Sequence, residues 1–129
     1  MLAEHQLDCA IRLLLDHNDP ISAITLAGAA EEILGKLVAI QGGKHSLGSF
    51  VDQCIQGGRQ LVENWSAKDF VEIANFYRDE LKHYREGADV VISPECAHGI
   101  IDRAAENRWL LVGYQSEQVR RYMDQVHGI

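Results

Sequence analysis

The chain has 129 residues, of which 47% are hydrophobic and 24% are charged. This apolar content fits a single globular domain over residues 1–129 with one core, and no long segment is poor enough in apolar residues to predict disorder. The net charge of −7 argues against a broad basic surface that binds nucleic acid through its phosphates, so any contact with RNA is expected to be local.

The three cysteines, Cys9, Cys54 and Cys96, are widely spaced. They have neither the pairing of a disulfide framework nor the spacing of zinc ligands, which fits a reducing cytoplasm. The sequence has no basic leader, and no charge-free run approaches the ~20 residues that cross a bilayer. No glycine-rich phosphate loop or dinucleotide fingerprint indicates a cofactor. We therefore expect a cytoplasmic protein with no membrane segment, metal or cofactor.

Two long helices are predicted in the first third of the chain. Apolar residues recur at three- and four-residue spacing from Leu2 to about His17, which is typical of an amphipathic helix. Asn18-Asp19-Pro20 ends this helix and begins the next, with Asp19 placed as the cap and Pro20 at the first helical position. The second helix is expected to continue to about Gln41.

Small residues lie beside the apolar stripe of this second helix. Gly28 and Gly35 each cost a helix about 1 kcal/mol relative to alanine, so they predict that a neighbouring backbone packs there. Glu31 lies on the same edge, whereas Glu32 is expected to face solvent. Glu31 has two interpretations: it orients a catalytic or RNA-contacting cation, or it forms a partly buried structural ion pair or hydrogen bond. We favour the structural pair.

Four further helices follow, each bounded by turn or capping residues, over residues 47–55, 66–87, 93–114 and 116–126. Tyr77 is expected on the core stripe of the helix over 66–87. Val90-Val91-Ile92 is the only strand-like run, and one isolated strand cannot form a sheet. The sequence therefore predicts an all-α fold, an antiparallel bundle of about five to six helices.

The helix over 66–87 carries Arg78-Asp79-Glu80-Leu81-Lys82-His83. Arginine is a permanent cation suited to phosphate, and histidine exchanges a proton near neutral pH, so the two can serve phosphodiester cleavage without a metal. On an ideal helix Arg78 and His83 project roughly 140° apart. They can meet on one ligand only where a second copy of the helix lies alongside, so the pattern predicts a homodimer.

This segment resembles the motif of the HEPN domains (higher eukaryotes and prokaryotes nucleotide-binding), small α-helical bundles marked by an arginine, a polar residue and, a few residues later, a histidine. Residues 27–35 and 97–111 also resemble helices of HEPN-like proteins. The resemblance implies a homodimer, or a dimer with a related protein. In such a dimer the paired motifs form a composite site for metal-independent endoribonuclease activity.

The resemblance also implies roles for five residues. His83 would be the base for a ribose 2′-hydroxyl or the acid for the leaving 5′-oxygen. Arg78 would hold the scissile phosphate, and Asp79, which stands where the family often has asparagine, would orient the site. Lys82 and Arg85 would contact flanking phosphates. Many family members are non-catalytic, so the alternative is a dimeric helical module that binds RNA or a protein, and a regulatory partner protein fits either case.

Two other patterns involve possible ligands or buried charges. Glu80 and His83, like Glu95 and His98, have the three-residue spacing found in di-iron bundles, but such a site needs two more carboxylates from other helices, so no metal site is predicted. Arg108 falls on the core stripe of the helix over 93–114 and needs an acidic partner there. Glu31 is the partner predicted by elimination; alternatively, Arg108 lines a small-molecule pocket.

Overall fold

A computed structural model of the chain describes residues 1–43, 48, 51–52, 67–82 and 91–129. Within these ranges the chain forms helices and connecting turns, and none of the residues lies in a strand. The predicted all-α helical bundle is confirmed. No helix in the described ranges is long and apolar enough to cross a membrane.

The elements, in chain order, are α1 (Leu2–His17), α2 (Pro20–Ile40), α3 (Ala67–Ala74), α4 (Phe76–Lys82), a 3₁₀ helix (Pro94–Ala97), α5 (His98–Val112), α6 (Glu117–Tyr122) and a π-helical turn (Met123–His127). Residues 48, 51 and 52 are helical, and the rest of the predicted helix over 47–55 lies outside the described residues. Val91 and Ile92 are irregular, and Val90 lies outside the described residues.

Local capping signals set the helix boundaries. Asn18 ends α1 in the left-handed conformation, with φ 47°. The Asp19 side chain then accepts a hydrogen bond from the backbone N–H of Ser22 at 3.1 Å, and Pro20 opens α2. Ser116 caps α6 in the same way by accepting from the backbone N–H of Val119. The predicted starts of both helices are confirmed.

Helix α2 lies at the centre of the bundle and packs against α1 and α5. The large, fully buried side chains of this core are Leu7, Ile11, Ile24, Leu34, Ile101, Val119 and Tyr122. Burial of this apolar surface is the main favourable term in folding. Because α2 contacts neighbours on two sides, its inner positions also hold small residues, including Ala23, Ala27 and Ala30.

The predicted single helix over 66–87 is divided at Asn75 into α3 and α4. The N–H of Asn75 donates to the carbonyl of Val71 at 3.0 Å and the N–H of Asp79 donates to the carbonyl of Asn75 at 2.9 Å, so helical hydrogen bonds lead into and out of the division. The Arg103 guanidinium inserts at this point and donates to the Ala74 carbonyl and to the Asn75 side chain. Insertion of a side chain into the hydrogen-bond ladder is a known cause of a helix break.

Candidate functional site

Glu31 lies at the centre of a buried polar cluster between α2, α4 and α5. Only 4% of Glu31 is exposed. Its Oε1 accepts a hydrogen bond from Nε of Arg103 at 3.4 Å, while its Oε2 lies 3.6 Å from Nη1 of Arg78 and has no hydrogen-bond partner. One carboxylate therefore faces two arginines, so a buried ion pair at Glu31 is confirmed. Because one of these arginines is the motif cation Arg78, the arrangement fits both interpretations of Glu31. Glu32 is exposed, as predicted.

Arg103 fixes the position of α4 relative to α5. Besides Glu31, its guanidinium binds the Ala74 carbonyl at 3.1 Å and Oδ1 of Asn75 at 3.0 Å. Asn75 is buried, and the side-chain amide of Asn107 donates to the Glu31 carbonyl at 3.4 Å. Buried polar groups need such partners because an unpaired one costs roughly 1–3 kcal/mol. The network therefore holds Asn75, between α3 and α4 and three residues before Arg78, against the core.

The predicted pair of Arg108 with Glu31 is wrong. Arg108 is buried as expected, but its Nε lies 3.4 Å from Oε1 of Glu4 at the start of α1. Its guanidinium also donates to the Tyr114 carbonyl and stacks over the Tyr114 ring, 4.9 Å from the centroid. Residues 103 and 108 are five apart, so on one helix they project roughly 140° from each other. Arg103 therefore meets α2 while Arg108 meets α1.

Arg78 packs its aliphatic stem on Gly28. A Cβ built at Gly28 would lie 2.7 Å from Cδ of Arg78 and 3.2 Å from Cδ1 of Ile100. The predicted close approach at Gly28 is confirmed. The prediction that a backbone packs there is wrong, because the neighbouring atoms belong to side chains. The Arg78 side chain stays 26% exposed, and its Nη2 lies 3.5 Å from Oδ1 of the half-exposed Asp79. Arg78 thus has a buried partner on one side and a surface partner on the other.

Two surface cavities meet at Arg78. We call the first the Tyr77 cavity; it has a volume of about 280 Å³ and is lined by Ile24, Ala74, Tyr77, Arg78, Glu95, Cys96, Gly99, Ile100 and Arg103. The second has a volume of about 310 Å³ and is lined by Thr25, Ala29, Glu32, Arg78 and Leu81. A ligand in either cavity would reach the same guanidinium.

Tyr77 is 37% exposed, so its predicted place on the core stripe is wrong. Its hydroxyl hydrogen-bonds the Cys96 thiol, which raises the pKa of Tyr77 above its ordinary value. The ring lies at the edge of the Tyr77 cavity instead of in the core. The ring also packs edge-on against Phe76, with centroids 5.2 Å apart.

Two groups next to Tyr77 have shifted protonation equilibria. Burial raises the pKa of the Cys96 thiol, but hydrogen bonds with Ser93 and Tyr77 lower it by more, so it lies below its ordinary value. The pKa of Glu95 is lowered by hydrogen bonds from its own backbone N–H and from the Ser93 side chain. Glu95 is therefore an exposed carboxylate that stays ionised at neutral pH.

The structure brings together only part of the predicted site. Arg78 and Asp79 are in contact, and Lys82 is the last residue of α4. His83 and Arg85 lie outside the described residues. Among the residues that are described, no group of three or more histidine, cysteine or acidic side chains is arranged to hold a metal ion.

Arg103 and Asn75 were not singled out from the sequence. A signal for Arg103 was present, because Arg103 and Asn107 are four residues apart and share the edge of the apolar stripe that contains Ile100 and Ala104. Two polar side chains so close to a core stripe indicate a buried polar network. Their partners belong to other helices and could not be read from that spacing.

These features define the protein as an all-α bundle with an arginine pair that shares one buried glutamate beside a surface cavity. No family model, no curated protein and no solved structure matches the chain. The resemblance to HEPN domains therefore stays a prediction that rests on the residues of the motif.

Proposed function

We propose that this protein is an RNA-directed protein of the HEPN type, which cleaves RNA without a metal at a site formed by two copies of the motif from Arg78 to His83. The observation that carries the proposal is the setting of Arg78. A buried carboxylate anchors this guanidinium at the surface, where it lines both cavities. A fixed, partly exposed arginine is suited to a phosphate because its planar fork can bind two oxygens at once.

The carboxylate partners of Arg78 neutralise it only in part. Glu31 is already paired with Arg103 at 3.4 Å, so it neutralises Arg78 only in part. The second partner, Asp79, is half-exposed at 3.5 Å, and ion pairs of that kind contribute little, typically ~0–1 kcal/mol. A phosphate can therefore displace Asp79 from Arg78 while Glu31 keeps the arginine in place.

The proposed reaction is an internal transesterification. The ribose 2′-oxygen forms a bond to the adjacent phosphorus while the bond from phosphorus to the 5′-oxygen breaks, which leaves a 2′,3′-cyclic phosphate and a 5′-hydroxyl. One copy of His83 takes the 2′-hydroxyl proton and the other gives a proton to the leaving oxygen. Arg78 stabilises the negative charge that develops on the phosphate oxygens. Lys82 and Arg85 are proposed to contact flanking phosphates.

The test is incubation of single-stranded and structured RNA with purified protein in EDTA, followed by analysis of the product ends. The wild type is expected to produce cyclic phosphate ends and His83→Ala to produce none. The matched control is His17→Ala, since His17 is an exposed histidine in the last turn of α1; it should cleave like the wild type. No cleavage by the wild type over a broad set of RNAs would overturn the proposal.

The second candidate is a non-catalytic dimeric module that binds a protein or RNA through α4. It is favoured by the exposure of Phe76, which is 50% accessible beside the Tyr77 ring, because aromatic side chains are enriched at interfaces. In this case Phe76→Ser should weaken the dimer in sedimentation experiments. His83→Ala should then change nothing, because there is no cleavage to lose.

A further inference from the structure

The Tyr77 cavity has the composition of a site for one aromatic ring. Its apolar lining comes from Ile24, Ala74, Gly99 and Ile100, and the Tyr77 ring adds an aromatic surface. Its volume of about 280 Å³ lies at the lower end of the range for small-molecule pockets, roughly 300–1,000 Å³. The cavity can therefore hold a group the size of a nucleobase but not a large ligand.

The orientation of the Tyr77 ring is set by its neighbours. Phe76 packs edge-on against it, with ring centroids 5.2 Å apart and an interplanar angle of 77°. A ring that is held in place loses little freedom when a base stacks on it, and such stacking contributes roughly 1–3 kcal/mol per base. The described residues that line the second cavity include no aromatic side chain, so the base belongs in the Tyr77 cavity.

The same cavity contains one feature that can distinguish between bases. Glu95 lines it and is exposed, and a carboxylate only accepts hydrogen bonds. Among the pyrimidines, cytosine presents an exocyclic amine that donates, whereas uracil presents a carbonyl oxygen at the same position, which a carboxylate would repel. Arg78, which lines the cavity too, places the phosphate site next to this base site.

Taking the proposed function as the starting point, we propose that the Tyr77 cavity binds the base next to the phosphate held by Arg78. In this arrangement Tyr77 stacks on the base and Glu95 selects a base that carries an exocyclic amine. Tyr77 and Glu95 are then specificity-determining residues, and cytosine is bound in preference to uracil.

The test measures binding without cleavage. Fluorescein-labelled 2′-O-methyl hexamers of cytidine and of uridine lack the attacking hydroxyl and differ only at the base, and their dissociation constants are measured by fluorescence anisotropy. The wild type is expected to bind the cytidine hexamer about tenfold more tightly, the effect of one hydrogen bond to a charged group. Glu95→Gln should bring the two affinities together, because an amide both donates and accepts. Glu117→Gln, which removes an exposed glutamate from α6, should keep the preference.

A second variant adds a side chain to the wall of the cavity. A Cβ built at Gly99 meets Nη1 of Arg103 at 3.8 Å, an ordinary van der Waals contact, and replacing glycine also favours the helix. Gly99→Leu should weaken binding of both hexamers about tenfold, the effect of a lost stack, and Gly99→Ala should weaken it far less. Thermal unfolding of each variant checks that the fold is kept.

Equal affinity of the wild type for the two hexamers, absence of binding to both, or unchanged binding by Gly99→Leu would each overturn the base site. The outcome is separate from that of the cleavage test. If the protein prefers cytidine but cleaves no RNA, the base-site proposal stands and the ribonuclease proposal fails. If it cleaves RNA but binds both hexamers equally, only the base-site proposal fails.

Discussion

Arg103 and Arg108 lie on the same helix, α5, and are 8% and 4% exposed, but their surroundings differ. Arg108 is enclosed by Glu4 and by Tyr114 and Gln115 from the turn after α5. Arg103 shares its glutamate with Arg78, which reaches the surface beside two cavities. Arg108 therefore only joins helices, whereas Arg103 also helps to position a second cation, Arg78, for a ligand.

The largest expected effect is that of Glu31→Ala. This substitution removes the carboxylate and leaves the Arg103 charge buried without it. Removing one partner of a buried ion pair costs about 3–5 kcal/mol. The free energy of unfolding, measured by urea denaturation, should fall by that amount. Glu32→Ala is the matched control, because Glu32 is exposed and pairs with Lys36 on the surface; it should stay within about 0.5 kcal/mol. Similar losses in the two variants would show that the Glu31 cluster is not buried as described.

Arg108→Met is expected to cost less, about 1–2 kcal/mol, because methionine fills similar space while Glu4 is partly exposed and the Tyr114 carbonyl loses its donor. RNA cleavage should be unchanged, since the partners of Arg108 are Glu4, Tyr114 and Gln115, whereas Arg78 pairs with Glu31 and Asp79. The measurement is urea denaturation with the cleavage assay. Arg12→Met, at an exposed arginine of α1, serves as control. If the free energy of unfolding fell by more than in Glu31→Ala, the contacts of Arg108 would matter more for stability than the Glu31 cluster, contrary to the comparison above.

The first turn of α5 also predicts a pH effect. Tyr122 is fully buried and donates to Oδ1 of Asp102 at 2.8 Å and to the His98 carbonyl at 3.2 Å. Burial, and then Asp102, raise the pKa of Tyr122 above its ordinary value of 10.0. The unfolded chain releases this proton first, so the stabilisation is complete below about pH 10 and is lost as the pH rises further.

Tyr122→Phe should therefore lower the free energy of unfolding by about 1 kcal/mol at pH 8, and the difference from the wild type should shrink above pH 10. Urea denaturation at several pH values measures this difference. The contributions of other titrating groups cancel from the difference because both proteins contain them. A difference that grows with pH would have the wrong sign for a tyrosine with a raised pKa.

Gly28→Ala should have the smallest effect on stability. The added Cβ would lie 2.7 Å from Cδ of Arg78, but this stem is flexible and the helix gains about 1 kcal/mol from alanine, so the free energy of unfolding should change by less than about 1 kcal/mol. Because the guanidinium must move, RNA cleavage should fall severalfold. Lys36→Ala, on the exposed face of α2, should change neither. A loss of several kcal/mol would mean that Arg78 cannot shift.

Elements that depend on neighbouring residues were predictable from the sequence. The cap at Asp19, the proline at position 20 and the cap at Ser116 act over three or four residues, so α1 ends, and α2 and α6 begin, where predicted. The division between α3 and α4 was not predictable, because its cause, Arg103, is 28 residues from Asn75 in the chain.

Which charged side chains pair with each other in the candidate site depends on helix packing, and local sequence patterns do not reveal that packing. The pattern identified Glu31 and Arg108 as buried charges, but which arginine of α5 faces α2 depends on the rotation of that helix. The Tyr77 cavity was missed for a related reason. An aromatic residue at helical spacing looks like core, and only its exposure in the folded chain shows that the ring stays at the surface.

The position of α2 between α1 and α5 also limits how this sequence can diverge. Its inner positions, including Ala23, Ala27, Gly28 and Ala30, are restricted in size, whereas outer positions such as Glu32 and Lys36 are free to drift. Homologues that no longer resemble this chain elsewhere should thus still keep a run of small residues ending in a glutamate. That run, read together with a downstream arginine pair, is a signature by which remote relatives can be found.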